Sequence, residues 1–213
     1  MNKFLLRIIF GVIYVMILYF GITHSKTSFT ILFILIGIIS LYEMYHLRKN
    51  KKKFIAFAYI ITPFLLIHQL VLLESKFEPT FVLGLFVLTW VFDSFAYIIG
   101  IKFGGHKIYP SISPKKSWEG FLGGFILTLI TSYLFYLNIP YDILQKYIAL
   151  WWVITILLPF TATLGDFIES YYKREANVKD SSSLIPGHGG ILDRMDAFTI
   201  TIPVCYIYIL YLK

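Results

Sequence analysis

Acidic residues occupy unusual places in the C-terminal part of the chain, where apolar segments end. Asp166 and Glu169 are three residues apart, and Ser170 and Lys173 continue the same helical spacing. A helix that continues past residue 165 would place all four side chains on one face. Such a face could form only local ion pairs in solvent, or its carboxylates could bind a cation.

A second acidic pair, Asp193 and Asp196, has the same spacing at the start of the last apolar segment. Acids at this place could simply complement the positive N-terminus of a helix. Taken with Asp166 and Glu169, however, they put four carboxylates at the ends of apolar segments on one side. Oxygen ligands of this kind suit a hard divalent cation such as Mg²⁺.

Cationic and glycine-rich residues surround these acids and predict a polyphosphate site. The sequence PGHGG at 186–190 indicates a turn whose glycines would leave backbone N–H groups bare for phosphate oxygens. Arg binds phosphate through two hydrogen bonds, and Lys acts as a point charge. His188 could act as a general base, donate to phosphate, or serve a purely structural role. The flanking cations are Lys173, Arg174, Lys179 and Arg194, and SPKKSWEG at 113–120 adds more.

The elements that must position these residues are membrane helices. Hydrophobic residues make up 58% of the 213-residue chain and charged residues 15%, and the mean hydropathy is +0.74. A soluble domain is about half apolar and a quarter charged, so lipid must cover part of this surface. We therefore predict an all-α polytopic integral membrane bundle of about seven transmembrane helices, with a polar cavity that faces the cytoplasm. The apolar stretches are 4–22, 29–47, 54–73, 80–101, 119–138, 147–165 and 196–212.

The basic residues predict how these helices are oriented. With the N-terminus in the cytoplasm, all but four of the 19 Lys and Arg residues fall on the cytoplasmic side. Both long polar loops, 102–118 and 166–195, then face the cytoplasm. We divide the chain into N-terminal helices over 1–78 and a transmembrane region over 79–213 that carries the site. Asp93 lies inside the fourth span, where a lone carboxylate costs at least ~2.5 kcal/mol, so we expect it to line the cavity or pair with a neighbour.

Several classes of site are excluded or disfavoured by the same residues. The basic run RKNKKK at 48–53 is typical of a helix end at anionic lipid headgroups, and no aromatic platform accompanies it to favour nucleic acid. Cys205 is the only cysteine, which excludes an intrachain disulfide and a cysteine-based zinc site. No P-loop or Rossmann glycine pattern is present, so any nucleotide is bound by another arrangement.

One long motif combines most of these residues. It runs from Ser170 to Asp196 and reads SYYKREANVKDSSSLIPGHGGILDRMD. Three segments precede it: DSFAYIIGIKFGGHK at 93–107, SPKKSWEG at 113–120 and GDFIES at 165–170. Together these motifs resemble the phosphatidate cytidylyltransferase (CDP-diacylglycerol synthase) family. The resemblance covers roughly the C-terminal three-fifths of the chain, and the residues before it match only as hydrophobic helices.

The resemblance implies a reaction in which CTP and phosphatidic acid give CDP-diacylglycerol and pyrophosphate. It implies Mg²⁺ as cofactor, and it leaves open a second cation such as K⁺ and a homodimer. The lipid phosphate would attack the α-phosphorus of CTP, so positioning and electrostatics should carry catalysis. We expect an integral protein of a bacterial inner membrane, with its active site on the cytoplasmic side.

The resemblance also assigns roles to individual residues. The metal ligands would be Asp166, Asp193 and Asp196. These three acids, together with Lys173, Arg194 and His188, would be the catalytic residues. The substrates would contact Lys173, Arg174, Lys179, Asp180, Gly187, His188, Gly189, Gly190, Arg194, Ser113, Lys115, Lys116 and Asp93.

Other functions stay open on the sequence. A membrane transporter for an anionic substrate would place its site near mid-membrane on broken helices, which Asp93 favours, although no internal repeat is found. Another Mg²⁺-dependent membrane lipid phosphotransferase would share the metal chemistry, but the D-G-x2-A-R and D-D-x2-D motifs typical of such enzymes are absent. A non-catalytic scaffold is disfavoured because the charged residues of the motif are present.

Overall fold

Seven α-helices and one short β-hairpin make up the computed structural model, which describes residues 3–49, 51–72, 77–138 and 141–212. Six of these helices are long and apolar enough to cross a membrane. The helices are α1 (Lys3–Thr23), α2 (Lys26–Leu47), α3 (Phe54–Val71), α4 (Thr80–Phe103), α5 (Trp118–Tyr136), α6 (Tyr141–Glu175) and α7 (Leu192–Leu212), and the hairpin strands are β1 (Lys107–Tyr109) and β2 (Ser113–Ser117).

This arrangement confirms the predicted all-α polytopic membrane fold, because each predicted apolar stretch coincides with one helix. The six helices that meet the length and composition of a membrane span are α1 to α6. The seventh, α7, begins with Asp193, Arg194 and Asp196, which lower its mean hydropathy. Many large apolar side chains point outward, such as Val12, Met16 and Phe20 on α1, as expected where lipid covers a helix.

Glycines allow the closest helix contacts in the bundle. Between α4 and α5, a side chain at Gly124 would lie 2.9 Å from the carbonyl oxygen of Phe92. Between α6 and α7, a side chain at Gly165 would collide with the carbonyl group of Asp196. Small residues let backbones approach in membrane proteins, where lipid tails compete with side chains for apolar contact. The two helices that carry the acidic residues are therefore held close together.

Aromatic side chains fill the core away from the polar residues. Phe86 on α4 stacks on Phe198 on α7 with ring centroids 4.1 Å apart. Phe135 on α5 stacks on Trp151 on α6 at 5.3 Å. Both Phe86 and Phe198 are almost fully buried. These contacts join helices that are distant in sequence and fix the framework on which the polar end is built.

The connector between α6 and α7 is shorter than the predicted loop 166–195. Helix α6 continues past Gly165 to Glu175, and α7 begins at Leu192, so the connector covers 176–191. Charged residues end the apolar segment here but not the helix, because Glu, Lys and Arg are good helix formers. Asp166, Glu169 and their neighbours therefore lie on a rigid element and not on a loop.

The other predicted loop, 102–118, contains the hairpin, which the sequence analysis did not anticipate. Strands β1 and β2 are antiparallel, with Lys107 opposite Ser117 and Tyr109 opposite Ser113. Ser117 is the N-cap of α5, because its hydroxyl oxygen accepts the N–H of Gly120 at 3.2 Å. The hairpin thus fixes the backbone that carries Lys115 and Lys116.

Polar segments from distant parts of the chain meet at one end of the bundle. Glu175 at the end of α6 forms an ion pair with Arg48 and lies 3.1 Å from the Nζ of Lys51, both of which follow α2. The hairpin reaches the same end, where Lys116 forms an ion pair with Asp166. That this end faces the cytoplasm stays a prediction from the distribution of basic residues.

The close approach of α6 and α7 gives a test of the fold. We expect Gly165→Ala to lower the stability of the protein by about 1–3 kcal/mol, because the added methyl group collides with the backbone of α7. Alanine is the better helix former, so propensity alone would change stability in the opposite direction. Thermal unfolding in detergent micelles measures the difference.

Gly11→Ala is the matched control, because it makes the same replacement within a helix but brings the new methyl group no closer than 3.4 Å to another side chain. We expect this control to unfold at or above the temperature of the unaltered protein. Equal unfolding temperatures for both variants would contradict the packing described here.

Candidate functional site

A cavity of about 310 Å³ opens between α4, the hairpin, α6 and the start of α7. Its walls are apolar on the side of Phe92, Ala96 and Phe121, and polar elsewhere. Seven of the residues predicted from the sequence line it, and they come from four separate elements of the fold. These residues are Asp93, Ser113, Lys115, Lys116, Asp166, Asp193 and Asp196.

Three carboxylates form a cluster beside this cavity. Asp166 and Glu169 share one face of α6, and Asp196 joins them from α7; one oxygen of each lies within 4.8 Å of the others. Glu169 is fully buried; among the described residues its Oε1 has no hydrogen-bond partner, and its Oε2 pairs with Lys173 alone. Asp166 and Asp196 are half-buried, and carboxylates this close repel one another unless a positive charge lies between or beside them. The donor set, made of oxygen atoms alone, fits a hard divalent cation.

Asp193 has a different environment from the one the sequence predicted. Its Oδ1 accepts a hydrogen bond from the Nζ of Lys173 at 2.8 Å. Its Oδ2 accepts the backbone N–H groups of Ser181 at 3.0 Å and Gly190 at 2.7 Å. Asp193 therefore holds the connector against α6, and Glu169 takes the place in the carboxylate cluster that the sequence analysis gave to Asp193. That Asp193 itself binds a metal stays a prediction.

Two lysines from different elements compensate the charge of the cluster. Lys116 on β2 forms an ion pair with Asp166. Lys173 on α6 forms ion pairs with Glu169, one turn before it, and with Asp193. Lys173 is buried, so its charge interacts strongly with both acids. The site thus alternates acidic and basic groups over a short distance, as a site for anionic substrates with a cation requires.

The PGHGG turn is closed by its own hydrogen bonds. The N–H groups of His188 and Gly189 both donate to the carbonyl oxygen of Ile185, at 2.9 and 3.1 Å. Gly187 and Gly189 have φ angles of 79° and 92°, which residues with a side chain rarely adopt. The N–H groups of His188, Gly189 and Gly190 are therefore already bonded within the protein, and phosphate binding by this turn stays a prediction. The glycines serve the local geometry of the turn.

The remaining predicted residues lie around the connector and do not line the cavity. Arg194 donates to the carbonyl oxygen of His188 at 2.9 Å, and Arg174 donates to that of Val178 at 2.9 Å. Lys179 and Asp180 are exposed. The Nδ1 of His188 is buried and has no hydrogen-bond partner among the described residues. These groups lie at the same end of the bundle as the cavity but outside it.

Sequence reasoning missed Glu43 on α2. Its side chain is only 1% exposed and accepts hydrogen bonds from both ends of the segment that carries the PGHGG turn. A signal was present, because Glu43 is the one acid of an otherwise apolar helix. An acid within a membrane span is a candidate functional residue, because an unpaired charge is costly there.

Comparison with known proteins shows the family of the chain. The model of the cytidylyltransferase family matches residues 54–212. A protein named phosphatidate cytidylyltransferase from Rickettsia typhi is 37% identical over 206 residues, which covers 94% of this chain and 90% of the relative. Proteins of the same name from Staphylococcus saprophyticus and Haemophilus influenzae are 39% and 43% identical over 77% and 57% of this chain, and over 63% and 42% of their own lengths. The resemblance seen in the motifs is confirmed, and the chain belongs to the cytidylyltransferase family.

Proposed function

We propose that this chain is a phosphatidate cytidylyltransferase, which converts CTP and phosphatidic acid to CDP-diacylglycerol and pyrophosphate. The observation that carries the proposal is the cluster of Asp166, Glu169 and Asp196 with Lys116 and Lys173 on either side of it. The names of the relatives support the same activity. The six candidate membrane spans support a lipid substrate, because an enzyme within the membrane meets that substrate directly.

This reaction does not require a strong general base. An oxygen of the lipid phosphate, already anionic, attacks the α-phosphorus of CTP. The bond between the α-phosphorus and the oxygen that leads to the β-phosphate breaks, and pyrophosphate leaves with that electron pair. The main barrier is the approach of two anions and the charge on the leaving group. Fixed cationic groups and accurate positioning are therefore what the protein must supply.

Mg²⁺ fits the carboxylate cluster because Glu169 is fully buried, its Oε1 has no partner among the described residues, and its Oε2 is engaged there by the Lys173 ion pair alone. Asp166, Glu169 and Asp196 would hold the ion. When bound there, it neutralises phosphate charge. Lys116 and Lys173 supply fixed positive charge on two sides of the acids, and Lys173 also keeps Glu169 in place through their ion pair. A second cation such as K⁺ stays a prediction.

The walls of the cavity suggest how the two substrates are arranged. Ser113 and Lys115 on β2 lie at its polar rim and would bind phosphate oxygens of CTP or of the lipid headgroup. Phe92, Ile108 and Phe121 make part of the cavity wall apolar, which suits the part of the lipid next to its headgroup. We propose that this end of the bundle faces the cytoplasm of a bacterial inner membrane, where CTP is available.

An assay of the purified protein tests the reaction and its metal requirement together. In micelles that contain phosphatidic acid, we expect labelled CTP to be converted to CDP-lipid with Mg²⁺ and not without it. The physical reason is the repulsion between two anionic substrates in a site already rich in carboxylates. Failure of the folded protein to bind CTP would contradict the proposed function and favour the transporter.

Single replacements distinguish the two possible sets of metal ligands. We expect Glu169→Gln to raise the Mg²⁺ concentration that gives half-maximal activity by at least about 10- to 100-fold, because a direct ligand is lost and loss of an outer-shell partner alone costs that much. We expect Asp193→Asn to lower turnover with little change in that concentration, because Asp193 bonds to Lys173 and the connector. Initial rates over a range of Mg²⁺ concentrations measure both quantities.

Glu119→Gln is the control for loss of one negative charge. Glu119 lies at the start of α5, where it is bonded to His106 at 2.6 Å, and it does not line the cavity. We expect its Mg²⁺ dependence to equal that of the unaltered enzyme. The opposite pattern, with a shift in Asp193→Asn and none in Glu169→Gln, would restore the ligand set that the sequence alone suggested.

A further inference from the structure

Glu43 lies within α2, near the end of the helix that faces the site. It is outside residues 54–212, which the family model matches, and in the region where the motifs predict only hydrophobic helices. Its side chain is 1% exposed. A carboxylate is costly in such a place unless its oxygens are well bonded, so its partners show what its presence achieves.

Four hydrogen bonds surround the Glu43 carboxylate. Its Oε1 accepts from the Oγ of Ser182 at 2.6 Å and from the N–H of Ile191 at 3.0 Å. Its Oε2 accepts from the Oγ of Ser181 at 2.8 Å and from the N–H of Leu192 at 2.7 Å. Four donors are what an ionised carboxylate can accommodate. All of them belong to the connector between α6 and α7 or to the first residue of α7.

Two of these donors fix the place where α7 begins. The N–H groups of Ile191 and Leu192 belong to the N-terminal end of α7, where backbone donors have no partner within the helix. A negative charge at this end also interacts favourably with the helix dipole. Asp193 and Asp196 follow within the first turns of α7, so the position of Glu43 determines the position of both acids.

One of the other two donors, Ser181, connects Glu43 to Asp193. The Oγ of Ser181 lies 2.8 Å from Glu43 and 3.1 Å from the Oδ2 of Asp193. Gly190 lies close to the same groups. A side chain at this position would lie 2.6 and 2.7 Å from the Glu43 oxygens. Two carboxylates from distant helices therefore hold one short stretch of backbone, and Gly190 is the residue that leaves room for them.

From these contacts we infer that Glu43 is a positioning residue of the catalytic site. It holds the connector and the start of α7 so that Asp196 meets Asp166 and Glu169, and so that Asp193 stays bonded to Lys173. The N-terminal helices are thus part of the site and not only a membrane anchor. The kinetic test of this inference rests on the proposed function, and a second test does not.

The kinetic test compares Glu43→Gln with Ser40→Ala. The glutamine is the same size but turns an N–H₂ group toward two donors, so at least two of the four hydrogen bonds are lost. We expect the half-saturating Mg²⁺ concentration to rise by about 10- to 100-fold, because the carboxylate cluster loses its alignment. A lower amount of folded enzyme would reduce the rate but would not change this concentration.

Ser40 is a suitable control because it lies on the same helix one turn before Glu43 and is equally buried. Its hydroxyl has no hydrogen-bond partner among the described residues. We expect Ser40→Ala to keep the Mg²⁺ dependence of the unaltered enzyme. Glu43→Asp, which retains the charge on a shorter side chain, should lie between the unaltered enzyme and Glu43→Gln.

The second test measures the connector directly and needs no activity. Leu184 is 55% exposed in the connector, whereas Cys205 is 1% exposed, so a thiol-reactive spin label attaches selectively to Leu184→Cys. We expect the label to become more mobile when Glu43→Gln is added and to be unchanged when Ser40→Ala is added. If Glu43→Gln does not fold, Ser182→Ala removes one of the four donors and should give the same changes on a smaller scale.

The outcomes separate the two proposals. A protein that makes no CDP-lipid but shows the label response would contradict the proposed function and support the role of Glu43. Glu43→Gln, or Ser182→Ala where Glu43→Gln does not fold, with unaltered Mg²⁺ dependence and unaltered label mobility would overturn the inference about Glu43. A mobile label with unaltered Mg²⁺ dependence in an active enzyme would also overturn it, because Glu43 would then hold the connector without affecting the site.

Discussion

Repulsion among three closely spaced carboxylates, one buried and two half-buried, is the constraint on which the polar end of this protein depends. Asp166, Glu169 and Asp196 lie within a few ångströms of one another at the end of an apolar bundle, where charges interact far more strongly than in water. Lys116 and Lys173 offset part of that repulsion from two sides. The arrangement suits a cation, which the carboxylates would attract, and two anionic substrates, which the lysines would attract.

Holding such a cluster requires that the polar backbone around it be satisfied without water. The PGHGG turn bonds to itself through Ile185, and Asp193 and Glu43 accept the N–H groups that remain around the start of α7. An unpaired buried donor or acceptor costs about 1–3 kcal/mol, so these bonds determine whether the connector has one conformation. Close glycine contacts between α6 and α7 then transmit that position to the acids.

Much of this could be predicted from residue type and spacing. Apolar stretches of sufficient length gave all seven helices, because a membrane requires continuous helical hydrogen bonding. The three-residue spacing of Asp166 and Glu169 indicated a shared helical face, and α6 does continue through both. The hairpin at 107–117 was not predicted, since five consecutive residues as polar as SPKKS carry no alternating pattern.

The sequence by itself determined the family and the membrane helices, because those follow from local composition and from a long motif. Only the tertiary structure decided which acids meet. Asp193 and Glu169 each lie three residues from another acid, so spacing alone does not distinguish them. The packing of α7 on α6 turns Asp193 toward the connector and leaves Glu169 beside Asp196. The partners of Glu43 could not be predicted from the sequence for the same reason. A contact across 149 residues depends on how helices pack and not on any local pattern.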